Sequence, residues 1–510
     1  MTGTLIKKEI ITKILDFRFV ITSVIAIVLV VFSVVILSGN YKKEVDIYET
    51  ALKDDEKDLE DVKTFSLYEP KIHYPPNPLS IFNNGITDKT NKTFTLKYSW
   101  IPRQTTETES ENPFLKIFRH FDLTTVFQIV LSLLALLLIY DAICGEREEG
   151  TLGLMLSYKV NRSRILFSKL VSGILLLSIP VLLSFVFSLL IITVIFGIGF
   201  SASAWIRIGL IVLTTLLFLA FMISSGLLIS SLVSNSSVSL LLSTCLWVIL
   251  CVLQPNLNSF IAASVIDVPS NNRIDEVYSV LWDEFEDRYE AHLVEIDKKV
   301  PEGRQNGNMM NYSDYKGRYV IFDGTTPLLL RYLYITQEIE PLRQQYAEKE
   351  WNIYKKEYLP FLEKQFRIQQ TLDRFSPATI FYSIVASLSC TDVYNYEHFL
   401  EEVRNYRNTM MSYLNNDRKI FSEHANEYFT QLEMEEIYHS QYEKREENGM
   451  TFGFYNTPPI DLSEIPEFHF QNLTLQDHIN DLITGILLLL TYSLIVFQVC
   501  MNRFLKYDVR

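Results

Sequence analysis

The sequence predicts an all-α polytopic membrane protein, with six transmembrane helices plus a mainly helical extracytoplasmic domain between spans five and six. Three observations predict it. Six apolar runs, 19–38, 123–140, 170–196, 208–230, 238–263 and 482–500, match the roughly 20 residues a helix needs to cross a hydrocarbon core about 30 Å thick. Lys and Arg gather in alternate connections between the runs. The long stretch 264–481 repeats apolar residues at intervals of three and four. Composition agrees: 48% hydrophobic and 21% charged residues, with mean hydropathy +0.13, are too apolar for a soluble chain and too charged for one embedded throughout.

Residues 1–18 place Ile6, Ile10, Ile14 and Phe17 at helical spacing, with Lys7, Lys8, Lys13 and Asp16 elsewhere, which predicts an interfacial amphipathic helix. The first run, 19–38, exceeds the roughly 7–15 residues of a signal-peptide core, and no small-residue cleavage site precedes Asn40 and Tyr41, so a retained anchor is expected. Segment 39–122 then begins with a stretch free of Gly and Pro after Asn40, in which Val45, Tyr48, Leu52 and Leu59 extend the helix beyond the membrane. Further on, Tyr74-Pro75-Pro76-Asn77-Pro78-Leu79-Ser80-Ile81-Phe82-Asn83-Asn84-Gly85 excludes a regular helix, because consecutive prolines remove donors and clash with the preceding turn. A folded loop with short strands around 93–100 is expected there.

Between spans two and three, residues 141–169 carry Glu146-Arg147-Glu148-Glu149-Gly150-Thr151-Leu152, followed by Arg162, Arg164 and Lys169. A central Arg or Asp costs roughly 2.5–3.5 kcal/mol to insert, so this stretch must be a loop at a membrane face. Lys7, Lys8, Lys13 and Arg18 before span one share that face in a six-span topology, as do Arg503, Lys506 and Arg510 in the tail 501–510. The excess of basic residues marks the face as cytoplasmic and puts both termini there.

Pro180 in span three and Pro255 in span five remove helix hydrogen bonds and predict bends. Arg207, at the outer edge of span four, is expected to snorkel to the interface as an anchor. No acidic residue lies at the centre of a span, which argues against a proton or sodium carrier. In 264–481, Ile274, Val277, Tyr278, Leu281, Phe285, Tyr289, Leu293 and Ile296 form one apolar stripe, and similar patterns run over 331–372 and 396–446. The apolar run 376–388 is too short to span; it is expected on the outer leaflet or at the centre of the domain.

Net charge −14 with pI 5.2 places most of the acidic excess in the outer segments and disfavours a nucleic-acid partner. Cys390 is the only cysteine distant from the spans, so the outer domain has no internal disulfide framework. The chain contains no phosphate-binding Gly-x-x-x-x-Gly-Lys-Ser/Thr loop, no His-Glu-x-x-His and no Cys-x-x-Cys. His424 and His439 lie too far apart to seed a metal site. Neither Glu148-Glu149 nor Glu401-Glu402 has a histidine beside it in a span, so no enzyme activity is expected of this chain.

Arg147-Glu148-Glu149-Gly150-Thr151-Leu152, with Leu156-Ser157 and Val160-Asn161-Arg162 after it, resembles the permease subunits of type 2 ABC transporters. There the pattern Arg-x-Glu-Gly-Thr-Leu, then Leu-Leu-Ser, Pro-Val-Ser-Arg and a Lys, marks the cytoplasmic loop between spans two and three. This chain departs at Lys159 and Asn161 and matches at Gly150 and Lys169. Pro75 to Phe82, with Ser376-Pro377-Ala378, Cys390-Thr391-Asp392 and His398-Phe399-Leu400, is similar to the large permeases related to gliding-motility and copper-site maturation transporters. The resemblance implies a permease in the inner membrane of a bacterium, among membrane lipids, paired with a second permease chain, identical or related. It also implies a cytoplasmic ABC ATPase dimer that carries the ATP and Mg, and an envelope or lipoprotein partner if the outer domain transmits force. It assigns ATPase coupling to Arg147, Glu148, Glu149, Gly150, Thr151, Leu152 and Met155, and leaves substrate contacts unassigned.

Overall fold

The computed structural model describes residues 2–60, 68–86, 92–96, 101, 122–157, 161–269, 271–301, 309–314, 317–322, 326–414, 428–429 and 462–506. Among these, six helices are long and apolar enough to cross a membrane: Phe19–Glu60, Leu123–Glu148, Arg162–Ile195, Ala202–Leu232, Ser236–Val265 and Ile479–Leu505. Spans two and four are the interior members of the bundle, and spans one, five and six leave most of their apolar surface uncovered. One core joins Val30, Leu131, Leu136, Phe185, Phe218 and Leu489 across five of the spans. The buried hydroxyls of Thr214, Thr215, Ser224 and Ser225 on span four bond the carbonyl four residues back, so these four residues add no unpaired groups.

The first helical element, Thr2–Ile14, lies against span three, and the second, Phe17–Glu60, is 44 residues long, about 66 Å at 1.5 Å per residue. That is twice a hydrocarbon core, so its second half projects beyond the bundle. Strands β1 (Lys71–His73) and β2 (Thr93–Thr95) pair antiparallel beside this projection. Lys71 Nζ donates to Asp55 at 2.8 Å and Lys92 Nζ to Glu44 at 3.1 Å.

Spans two, three and five each contain a π-helical segment, over Phe127–Leu131, Ile191–Ile195 and Val248–Leu253. The last directly precedes Gln254–Val265, where Pro255 has no N–H to give and a widened turn relieves its ring. At Pro180 the helix Arg162–Leu190 continues.

The domain between spans five and six begins with two packed helices, Asn271–Lys299 and Thr326–Ile353, around Leu281, Phe285, Ile339, Leu342 and Tyr346. A small sheet in the order β3 (Met309–Asp314), β4 (Gly317–Phe322), β5 (Tyr428–Phe429) departs from the helical pattern. Helix Val393–Ser412 packs Tyr396, Phe399 and Val403 against Tyr74, Phe94 and Leu96, so the segment after span one and the domain after span five share a core. Beyond residue 414 the periodic stretch 396–446, with His424 and His439, lies outside the described residues except for β5.

The run 376–388 neither lies on the surface nor fills the domain centre. Helix Leu359–Asp373 descends along the far end of span five, where Asn258 Nδ2 donates to Asp373 at 2.8 Å. The chain turns where Tyr492 of span six donates to the Arg374 carbonyl at 3.0 Å, and helix Pro377–Leu388 returns between spans four and six. Phe381 stacks on Phe218 at 4.7 Å and 8°. Twelve residues cannot cross a bilayer, yet their apolar face is buried by entering partway and coming back.

Candidate functional site

The charged loop after span two is two helices, Cys144–Glu148 and Thr151–Ser157, broken at Gly150 with φ +72°. Left-handed backbone favours glycine there, since an L side chain collides with its own carbonyl. Span four holds the base of the loop: Ser230 Oγ accepts from the backbone N–H groups of Ile143 and Cys144 at 3.0 and 3.1 Å. Arg147 Nη1 donates to Val233 O at 3.0 Å, at the end of the same helix, where cations complement the dipole. Glu148 accepts from the Ser236 N–H at 3.0 Å and from its hydroxyl at 2.5 Å, capping the start of span five. Leu152 is 2% exposed and belongs to the bundle core.

The seven residues assigned to this loop therefore divide. Arg147, Glu148 and Leu152 fasten the loop to the bundle; Glu149, Gly150 and Thr151 are exposed at its tip, and Met155 is half-buried. Among the loop's neighbours, Lys159 lies outside the described residues. Asn161 occupies the cap position of span three in extended backbone, without a side-chain cap bond.

Beneath the loop, Lys169 is 3% exposed and bridges Glu146 at 2.7 Å and Glu9 at 3.1 Å. Lys13 donates to the Leu138 carbonyl at 2.5 Å and to Asp141 at 3.3 Å. The N-terminal helix is thus tied by charge to the loop and to the end of span two. Residues 9, 146 and 169 carry no joint signature in the sequence; only the fold brings them together.

At the opposite end of the bundle, Arg207 does not snorkel. It is 5% exposed, and its guanidinium donates to the carbonyls of Ser387 and Leu388 at 3.3 and 3.2 Å and of Leu473 at 2.6 Å. Next to it, the loop with the consecutive prolines meets the turn after Leu388. Asn77 Nδ2 donates to Ser389 O at 2.8 Å, the Ile86 N–H to Thr391 O at 3.0 Å, and Thr391 Oγ1 to Asn83 Oδ1 at 3.0 Å. Asn395, fully buried, bonds Tyr74, Cys390, Asn472 and Leu473. The two distant segments that carry the narrower resemblance are two sides of one polar junction. Burial pushes the Cys390 thiol up to about 11, so it remains protonated and unreactive at neutral pH.

Six apolar helices, a loop braced at one end and a large helical domain braced at the other define a polytopic membrane subunit in which bundle and domain are joined. Residues 4–349, more than half of the chain, match the ABC-2 family transporter proteins, and the chain belongs to that family: it is a permease subunit of an ABC transporter. The family implies partnership with an ABC ATPase subunit. Residues 336–471 match a domain of unknown function, DUF3526, which takes in the re-entrant hairpin and the 387–395 side of the junction. Over 63 residues the chain is 46% identical to the probable ABC transporter permease protein NosY of Stutzerimonas stutzeri, and over 63 residues 43% identical to that of Pseudomonas aeruginosa. Each match covers 12% of this chain and 23% of the relative.

Proposed function

We propose that this chain couples ATP hydrolysis by a cytoplasmic ABC ATPase dimer to export of a substrate across the inner membrane of a bacterium, as one of two permease chains. On this reading the charged loop is cytoplasmic, the helical domain is extracytoplasmic, and both termini face the ATPase. The observation that carries the reading is the division of labour in the loop. A motor drives a membrane protein only through a contact whose free energy differs between nucleotide states, with couplings of about 1–3 kcal/mol. An exposed tip of Glu149, Gly150 and Thr151 on a base bonded to spans four and five suits that contact, because force on the tip reaches the helices instead of bending the loop.

The test is reconstitution with the ATPase partner. Glu149→Lys should abolish permease-dependent stimulation of hydrolysis while the permease keeps its thermal stability. Unchanged stimulation would remove the loop from the mechanism.

A second reading, in which ATP moves the outer domain against an envelope or lipoprotein partner and nothing is translocated, is favoured by the junction. A domain that only capped an exit would not need a buried arginine from the bundle gripping its backbone. Cross-linking the outer domain to itself separates the two: an exporter keeps transport, a force-transmitting device loses function.

A further inference from the structure

We infer that span four is a strut that carries movement of the charged loop to the outer junction, and that Arg207 is the positioning residue through which it does so. The inference deepens the reading above and rests on the loop being the ATPase contact. Span four, Ala202–Leu232, is 31 residues of uninterrupted α-helix, about 46 Å long. Among the described spans, two, three and five contain π segments, and span four does not.

Both ends of span four are held by the same chemistry. At the loop end, Arg147 donates to Val233 O, and Ser230 Oγ accepts two loop N–H groups. At the domain end, Arg207 donates to two carbonyls that close the re-entrant helix and to a third, Leu473 O, on the irregular segment that leads to span six. Among the described residues its hydrogen-bond partners are all backbone carbonyls, so it grips the course of the chain and not one rotatable carboxylate. An anchoring arginine would reach for water; this one is buried and faces inward. The carbonyls it holds flank Asn395 and Thr391, which fix the loop after span one. Displacement of span four along its axis therefore moves three outer segments together.

The experiment is hydrogen–deuterium exchange on the full permease–ATPase complex in lipid nanodiscs, with ADP and with a non-hydrolysable ATP analogue. In wild type, the nucleotide-dependent difference in protection should appear both over 144–157 and over 386–396. In Arg207→Met it should persist over 144–157 and shrink over 386–396 by roughly 2- to 30-fold, the range for substitutions along a coupling route. Arg207→Lys keeps the charge but cannot reach both segments with a fork of donors, and should fall between. If the lysine variant alone folds, a loss in it decides the matter. A full difference over 386–396 in either variant overturns the strut. Absence of any difference over 144–157 in wild type would instead refute the loop as the ATPase contact.

Discussion

Gly85→Ala tests the junction most directly. Gly85 has φ +54°, and a Cβ built there would lie 2.0 Å from the Thr391 carbonyl oxygen and 2.7 Å from its carbonyl carbon. The obstacle is backbone, which cannot rotate out of the way. The left-handed conformation alone costs an L residue roughly 1–2 kcal/mol. Relief requires the two segments to part, which breaks the Ile86 to Thr391 bond and strands buried partners such as Asn83, roughly another 1–3 kcal/mol. The expected loss is about 2–5 kcal/mol, read as a fall in unfolding midpoint in detergent and as faster amide exchange over 386–396. Gly39→Ala is the control: nothing lies within 4 Å of its Cβ, and it sits inside a helix, where alanine should stabilise by up to about 1 kcal/mol. A Gly85→Ala protein within about 1 kcal/mol of wild type, with unchanged exchange, would show that the close approach is not what holds the junction.

Three further outcomes follow from the packing. Lys169→Met leaves the half-buried Glu9 and Glu146 without the buried cation they share and should destabilise by about 2–4 kcal/mol. Adding Glu146→Gln should recover part of that in a thermal-stability assay, and equal stability of the two variants would argue against the charge bridge. Leu152→Ala should cost about 2–5 kcal/mol and expose the loop to protease before the bundle. Simultaneous cleavage at both places would mean the loop is not a separable element. Gly226→Ala places a methyl 2.3 Å from Ile139 Cγ2, an overpacking cost of about 1–3 kcal/mol that Ile139→Ala should largely cancel in a double-mutant cycle.

The six helices were legible in the sequence because the bilayer sets a length threshold that local composition alone can meet. The site was legible only in part. Arg147, Glu148 and Glu149 look equivalent in the chain, yet the first two bond spans four and five, whose ends are 84 to 88 positions away. Only Glu149 is left at the tip. Arg207 at the edge of an apolar run satisfies the snorkelling rule as well as the inward placement. The carbonyls that decide between them come 180, 181 and 266 residues later. The run 376–388 failed the length rule for a span, and no local rule describes a helix that enters a bundle and returns, because its burial depends on the surfaces of spans four and six.

That hairpin also bears on whether export and force transmission are separate. Its turn brings the Arg374 carbonyl against Tyr492, near the middle of span six, and Asp373 against Asn258 of span five. Polar groups at such depth are tolerated only where protein groups satisfy them. Spans five and six therefore cannot separate from the hairpin without stranding these groups, at a cost of about 1–3 kcal/mol for each. The returning helix ends on Arg207 and leads into the junction, so rearrangement of the bundle that opened a path for a substrate would displace the domain as well. On the proposed reading, a permease built this way would have one set of movements with two outputs. What distinguishes an exporter from a force-transmitting device is then whether anything is bound between the spans when they move.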